Sequence, residues 1–137
     1  MTVYVCLLYL RCLLSAPPAA PILSVVMTTN SSVQLSWMTG SNGGSRILGF
    51  VLHHRRRHSV DWESRLLSAA NRSHVVSNLR CGSDYSFYLQ AFNRLDKGQS
   101  SQVVHAATNG SGRLATLFTF AQHHTIPQHL GLWLGVA

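Results

Sequence analysis

Leu79-Arg80-Cys81-Gly82-Ser83-Asp84-Tyr85, running straight into Ser86-Phe87-Tyr88-Leu89-Gln90-Ala91-Phe92, is the stretch from which the fold can be read. Gly82, Ser83 and Asp84 favour turn conformations over regular elements and mark a tight connection. Beyond them, Tyr85, Phe87, Leu89 and Ala91 fall on one side of an extended chain, and Ser86, Tyr88, Gln90 and Phe92 on the other. That period of two is what a strand with one buried face requires. Asn93 to Gly98 then supply the turn residues that end it.

Working outward, the same rhythm recurs on both sides. Ser32 to Trp37 alternates, with Val33, Leu35 and Trp37 on one face and Gln34 and Ser36 on the other. Gly40-Ser41-Asn42-Gly43-Gly44 cannot continue a strand and reads as a loop. Arg46 to Arg55 places Leu48, Phe50 and Leu52 together, Asp61 to Ser68 and Ser73 to Leu79 add two shorter apolar runs, and Ser101 to Thr108 closes the series with Val104 and Ala106 pointing inward. No segment carries a helical apolar stripe. Several short strands separated by turn clusters predict an all-β sandwich or barrel.

The order of these landmarks resembles a fibronectin type III domain: Pro17, Pro18 and Pro21 ahead of the first strand, Ser-Val-Gln-Leu-Ser-Trp at 32–37, Gly-Phe-Val-Leu at 49–52, and the 79–85 segment. The resemblance implies a seven-stranded immunoglobulin-like β-sandwich over residues 17–108. It implies a corner in which the Tyr85 hydroxyl is hydrogen-bonded to upstream backbone near Leu79. Leu35, Trp37, Phe50, Leu52, Leu79, Tyr85 and Phe87 are the expected structural core. Within that family, Thr-Thr-Asn-Ser-Ser-Val-Gln-Leu-Ser-Trp at 28–37, Ser-Asn-Gly-Gly-Ser at 41–45 and Leu-Arg-Cys-Gly-Ser-Asp-Tyr-Ser-Phe at 79–87 are similar to domains of the Down syndrome cell adhesion molecule (Dscam) group. This implies an extracellular or cell-surface protein-binding module of an adhesion receptor in the immunoglobulin superfamily, with homophilic recognition as the expected activity. The chain shows no array of such modules, so the resemblance also implies a fragment of a longer receptor. Cys81 replaces a frequent Pro, Phe50 the usual Tyr, and His54 and His74 stand where aromatic residues often sit.

The flanks read differently. Residues 3–16, Val-Tyr-Val-Cys-Leu-Leu-Tyr-Leu-Arg-Cys-Leu-Leu-Ser-Ala, have the apolar run and small-residue close of a signal peptide, while Arg11 and the lack of a preceding positive charge fit an irregular leader instead; residues 1–16 are kept under both readings. About 14 apolar residues fall short of the roughly 20 that cross a bilayer, so neither this run nor Leu130–Ala137 is a transmembrane span. Residues 109–137 lose the strand rhythm and form a tail without assigned structure. Cys6 and Cys12 lie in the leader, leaving Cys81 alone in the domain, which therefore holds no internal disulfide.

Charge and motifs define the candidate sites. Between Pro17 and Thr108, nine basic residues against four acidic ones leave a balance of +5, which favours an acidic partner. The densest run is His53-His54-Arg55-Arg56-Arg57-His58, and Arg55, Arg56 and Arg57 are the candidate patch for heparan sulfate or another polyanion, against the plainer reading of a solvated hairpin tip. Nucleic acid is not expected, for want of a recognition helix or a set of stacking aromatics on an exposed sheet. Asn30-Ser31-Ser32, Asn71-Arg72-Ser73 and Asn109-Gly110-Ser111 match the N-glycosylation pattern, relevant in the secretory pathway. His53-His54 and His123-His124 are adjacent pairs whose side chains diverge on a strand, and no metal-binding Cys or His spacing accompanies them, so neither a metal nor a cofactor is expected. Arg94-Leu95-Asp96 lacks the central glycine of an integrin-binding tripeptide. The scattered acids, the absence of a nucleophile elbow and a Cys81 without an evident base exclude the usual catalytic arrangements.

Overall fold

Alternating side chains need a partner layer for their apolar face, and the chain provides it by folding two antiparallel sheets against each other. A computed structural model describes residues 15–110. Its strands are β1 (Ile22–Thr28), β2 (Val33–Met38), β3 (Gly49–Arg56), β4 (Glu63–Ser68), β5 (Ser73–Val76), β6 (Asp84–Phe92), β7 (Lys97–Ser100) and β8 (Val104–Ala107). The smaller sheet has the order β1-β2-β5; in the larger, β4-β3-β6-β7 is extended by β8, which also pairs with β6. Eight strands stand where seven were expected because the last is broken: β7 and β8 both run along β6, and the break at Ser101 is held by its N–H donating to Leu89 O at 2.8 Å and its Oγ accepting from Leu89 N–H at 3.0 Å.

The facing sides of the sheets meet in one core. Leu23, Val33, Leu35 and Trp37 come from the smaller sheet, and Phe50, Leu52, Leu67, Tyr85, Phe87, Leu89 and Ala91 from the larger, with Val76 and Leu79 closing one side. Trp37 and Phe50 meet edge to face, with ring centroids 5.5 Å apart. Tyr85 is buried and its hydroxyl accepts the Arg80 N–H at 2.9 Å, while Leu79 N–H donates to Ser31 O at 2.9 Å. Val104 and Ala106 pack partly buried against this core. One expectation from alternation shifts. Leu48, one residue ahead of β3, is 52% exposed although its N–H donates to Phe92 O at 2.8 Å. In β4 only Leu67 turns inward, leaving Leu66 69% exposed.

The two ends of the sandwich are tied by backbone and short polar side chains. At one end, Ala16 N–H donates to Gly43 O at 2.7 Å and Ala19 N–H to Ser41 O at 2.8 Å, and Pro18 is fully buried. Glycine is required on either side of this segment: a Cβ on Gly43, whose φ is +66°, would collide with the carbonyl of Ala16, and one on Gly98 with that of Pro18. At the other end, Thr108 Oγ1 donates to Arg80 O at 2.6 Å and accepts from Ser83 N–H at 3.0 Å, and Asn109 N–H donates to Thr29 O at 2.9 Å. Nearly all of residues 1–16 and of the 109–137 tail, with Cys6, Cys12 and the His123-His124 pair, lies outside the described residues.

Candidate functional site

β3 runs past the end of β4 with its basic end still paired to β6, and strand alternation sorts the basic run onto two faces. His53 and Arg55 face outward from the larger sheet, while His54 turns to the core side and stacks against Phe87 at 6.0 Å. On the outward face, His53 lies flat on Tyr88 (centroids 4.4 Å apart, planes within 11°), Tyr88 meets Trp62 edge-on at 4.7 Å, and the Arg55 guanidinium sits 4.5 Å over the Trp62 ring. The result is a continuous cation–aromatic stack crossing three strands' worth of surface, with Leu66 exposed at its margin. A cation over a partly exposed tryptophan contributes about 0.5–1 kcal/mol, so the stack positions Arg55 more than it stabilises the fold.

Past the stack, Arg57 N–H donates to Asp84 O at 2.9 Å, continuing the ladder one residue beyond β3, and its guanidinium reaches Asp84 at 3.2 Å. Both side chains are largely exposed, so the pair adds little to stability. Arg56 is exposed and stands one residue out of phase with Arg55 and Arg57. The three arginines are thus not one patch: two belong to the outward face and one to the other side.

Three histidines are shifted by their surroundings. Burial pushes His53, His54 and His74 below the ordinary histidine value of 6.5; Lys97 acts in the same direction on His53, and Arg65 on His54 and His74. Glu63, 3.5 Å from His54 Nε2, pulls the other way without overcoming burial. The folded domain therefore binds these protons more weakly than the unfolded chain does. Their contribution to stability is complete above pH 6.5 and is lost as the pH falls below it through the lowered folded values. The melting temperature is expected to fall as the pH is lowered from 7.5 to 5, and the fall should shrink in a His54→Gln, His74→Gln variant; calorimetry across that range checks it.

The glycosylation triplets sit at both ends. Asn30 is exposed in the β1–β2 turn, and Asn109 is exposed beside it, its N–H bonded to Thr29 O, while its motif's Ser111 lies outside the described residues. Asn71 is half-buried in the β4–β5 turn at the opposite end. Arg94-Leu95-Asp96 is a tight turn whose Leu95 and Asp96 amides donate to Asn93 Oδ1 at 2.9 and 3.2 Å. Cys81 is a free, exposed thiol on the rim. Among the described residues, no group of three His, Cys, Asp or Glu side chains is placed to hold a metal, and no helix is long and apolar enough to cross a membrane.

Sequence reasoning missed two features. Tyr88 reads as an ordinary outward residue and Trp62 carries no signal of its own until the register brings them together. Asn93 reads as a turn residue, yet it is 5% exposed and its side-chain amide donates to Ala16 O at 2.8 Å and Asn42 O at 3.2 Å. Its one visible signal is its place directly after a strand, where an Asn side chain caps a turn.

The fibronectin type III domain description matches residues 16–107, most of the chain and every strand described above. The chain belongs to the fibronectin type III family. Its fibronectin type III domain is similar to parts of several named proteins. Cell adhesion molecule DSCAM of Homo sapiens is 43% identical over 94 residues, covering 69% of this chain and 5% of that protein. Cell adhesion molecule DSCAML1 of Mus musculus is 39% identical over 98 residues, and Dscam2 of Drosophila melanogaster 35% over 98, each covering 72% of this chain and 5% of the relative. The chain therefore matches only about 5% of the length of these relatives. Among solved structures, the chicken CNTN1 FN1-FN3 domains superpose with a TM-score of 0.63 at 22% identity, covering 70% of this chain and 34% of that one, which bears on the fold alone. A fibronectin type III domain of this kind is a non-enzymatic binding module of the sort found in cell adhesion molecules.

Proposed function

We propose that this chain supplies an extracellular, protein-binding module of a Dscam-like adhesion receptor, running from residue 17 to 108 and forming part of a longer receptor. The observation that carries this reading is the 43% identity with cell adhesion molecule DSCAM, which extends over 94 residues. In this reading residues 1–16 act as a signal peptide, one or more of Asn30, Asn71 and Asn109 carry glycans, and the partner is a cell-surface protein, with another copy of the same receptor as the leading choice. The mechanism is physical: a rigid sandwich holds its outward faces and turns in fixed positions, and recognition depends on what those surfaces fit.

The test is expression of the full chain in a secreting eukaryotic cell, with intact mass and glycosidase treatment of medium and cells. Glycosylated protein in the medium, beginning near Pro17, is the expected result; unglycosylated protein retained inside overturns the extracellular reading. Beads coated with the secreted protein then decide the homophilic part. Clustering of the beads with one another supports it, and binding only to cells that display other proteins replaces it with a heterophilic partner.

A further inference from the structure

Arg55 and Arg57 stand two residues apart on the outward face of the larger sheet, about 7 Å from each other along the strand. With Asp84, Ser86, His105 and Ala106 they line an open groove of ≈ 520 Å³ along β3, β6 and β8, and Arg56 is not part of it. Two arginines and a histidine face this groove, against one acidic side chain. That acid, Asp84, is occupied by Arg57 at 3.2 Å in an exposed pair that a denser anion can displace. Arg55 is held in place by stacking on Trp62; among the described residues it enters no ion pair, and its buried Nε has no hydrogen-bond partner. Ser86 Oγ and His105 Nδ1, 2.9 Å apart, form the polar far wall.

We infer that this groove is a binding site for a sulfated glycosaminoglycan-type saccharide, with Arg55 and Arg57 as the sulfate-binding residues. Several features select that chemistry over an acidic polypeptide. The Arg55 and Arg57 donors form a row beside Ser86 and His105 in an open groove whose one aromatic lining residue, Tyr85, is buried in the core, whereas protein interfaces centre on desolvated apolar or aromatic anchors in pockets. A polymer that presents sulfates and hydroxyls along its length needs only such a row. Arginine forks match sulfate geometry with two donors at once, and a guanidinium already fixed by an aromatic ring loses less freedom on binding. The domain's +5 balance draws such a ligand in over the wider surface. This inference is independent of the adhesion reading, since a module of either kind can carry it.

The experiment measures binding of the full chain to an immobilised heparin oligosaccharide of defined size at physiological salt. Arg57→Gln and Arg55→Gln are each expected to weaken binding about tenfold, the loss of one charge-assisted contact. Arg56→Gln removes the same charge from the other face and should stay within about twofold, the scale of a screened exposed charge. Arg57 is exposed and outside the core, so its variant remains interpretable even where Arg55→Gln disturbs the Trp62 stack, and thermal melts establish that each variant is folded. Equal losses for Arg56→Gln and Arg57→Gln would reduce the effect to net charge and overturn the site. Displacement by poly-glutamate as effective as by soluble sulfated oligosaccharide would assign the groove to acidic polypeptides instead. Failure of the unsubstituted chain to bind also ends the proposal.

Discussion

Phe50→Ala is expected to cost about 3–5 kcal/mol of unfolding free energy, the usual range for emptying an aromatic position in a packed core. Phe50 has no exposed surface, pairs with Leu67 on β4 and Ala91 on β6, and meets Trp37 of the opposite sheet edge to face. With Trp37 it joins the two layers, and the Arg72 guanidinium lies 5.9 Å from its ring. The cavity cannot collapse cheaply, because the neighbours that would have to move are anchored in two different sheets. A domain of about 100 residues has only about 5–15 kcal/mol to lose, so a loss of this size should leave the variant partly unfolded at 37 °C. Urea denaturation of the wild-type chain and of Phe50→Ala checks the magnitude. A conservative Phe50→Leu control should lose about half as much or less, and equal losses in the two variants would contradict the packing argument.

Asn93→Ala should be the most damaging polar substitution, at about 2–4 kcal/mol, because each buried polar group left unpaired costs roughly 1–3 kcal/mol. The side chain serves four backbone groups: it donates to the carbonyls of Ala16 and Asn42 and accepts from the amides of Leu95 and Asp96. Three segments far apart in sequence converge there, namely the approach to β1, the β2–β3 loop and the β6–β7 turn. Asn93→Asp separates the two halves of the role. A carboxylate keeps the two acceptor bonds to Leu95 and Asp96 but places negative charge against two carbonyls, so the opening segment should loosen while the turn persists. Amide hydrogen exchange reads this directly: Ala16 and Ala19 should exchange faster in both variants, Leu95 and Asp96 only in Asn93→Ala.

Side-chain period carried most of the fold into the sequence. It assigned β2 and β6 to within a residue at their ends, and the 79–85 segment marked where the chain crosses between sheets, with Gly82, and Asn78 just before it, in the left-handed backbone conformations a sharp connection needs. Period says which face a residue occupies and nothing about which residue on the next strand lies beside it. For that reason Arg55, Trp62, Tyr88 and His53 looked unrelated: their stack depends on β3–β4 and β3–β6 registers set by the turns. The same limit hid the split of the arginine run, where three adjacent like residues suggested one patch and alternation divides them. Leu48 failed for a different reason. Its N–H bonds to Phe92 O, so the backbone joins the sheet, but the residue lies at the open end of the core beside Gly49, whose backbone lies too close to Leu67 O and the Phe92 ring for any side chain there. Asn93 was obscured because its partners are backbone atoms, which leave no trace in residue type.

The fastening of the chain at Ala16 and again at Thr108 and Asn109 sets how the module answers a pull. These two points lie at opposite poles of the sandwich, one against the Gly43 loop and the other against Thr29 and Ser83. Tension between the flanking segments therefore runs lengthwise through β1 and β8. It loads the β1–β2 and β6–β8 hydrogen bonds together, in shear, rather than one after another as in unzipping. Rupture under such loading is governed by the unfolding barrier and not by the equilibrium free energy. The domain thus acts as a strut that passes force along its axis with its lateral faces undistorted, and any surface it presents keeps its shape while the chain is under strain.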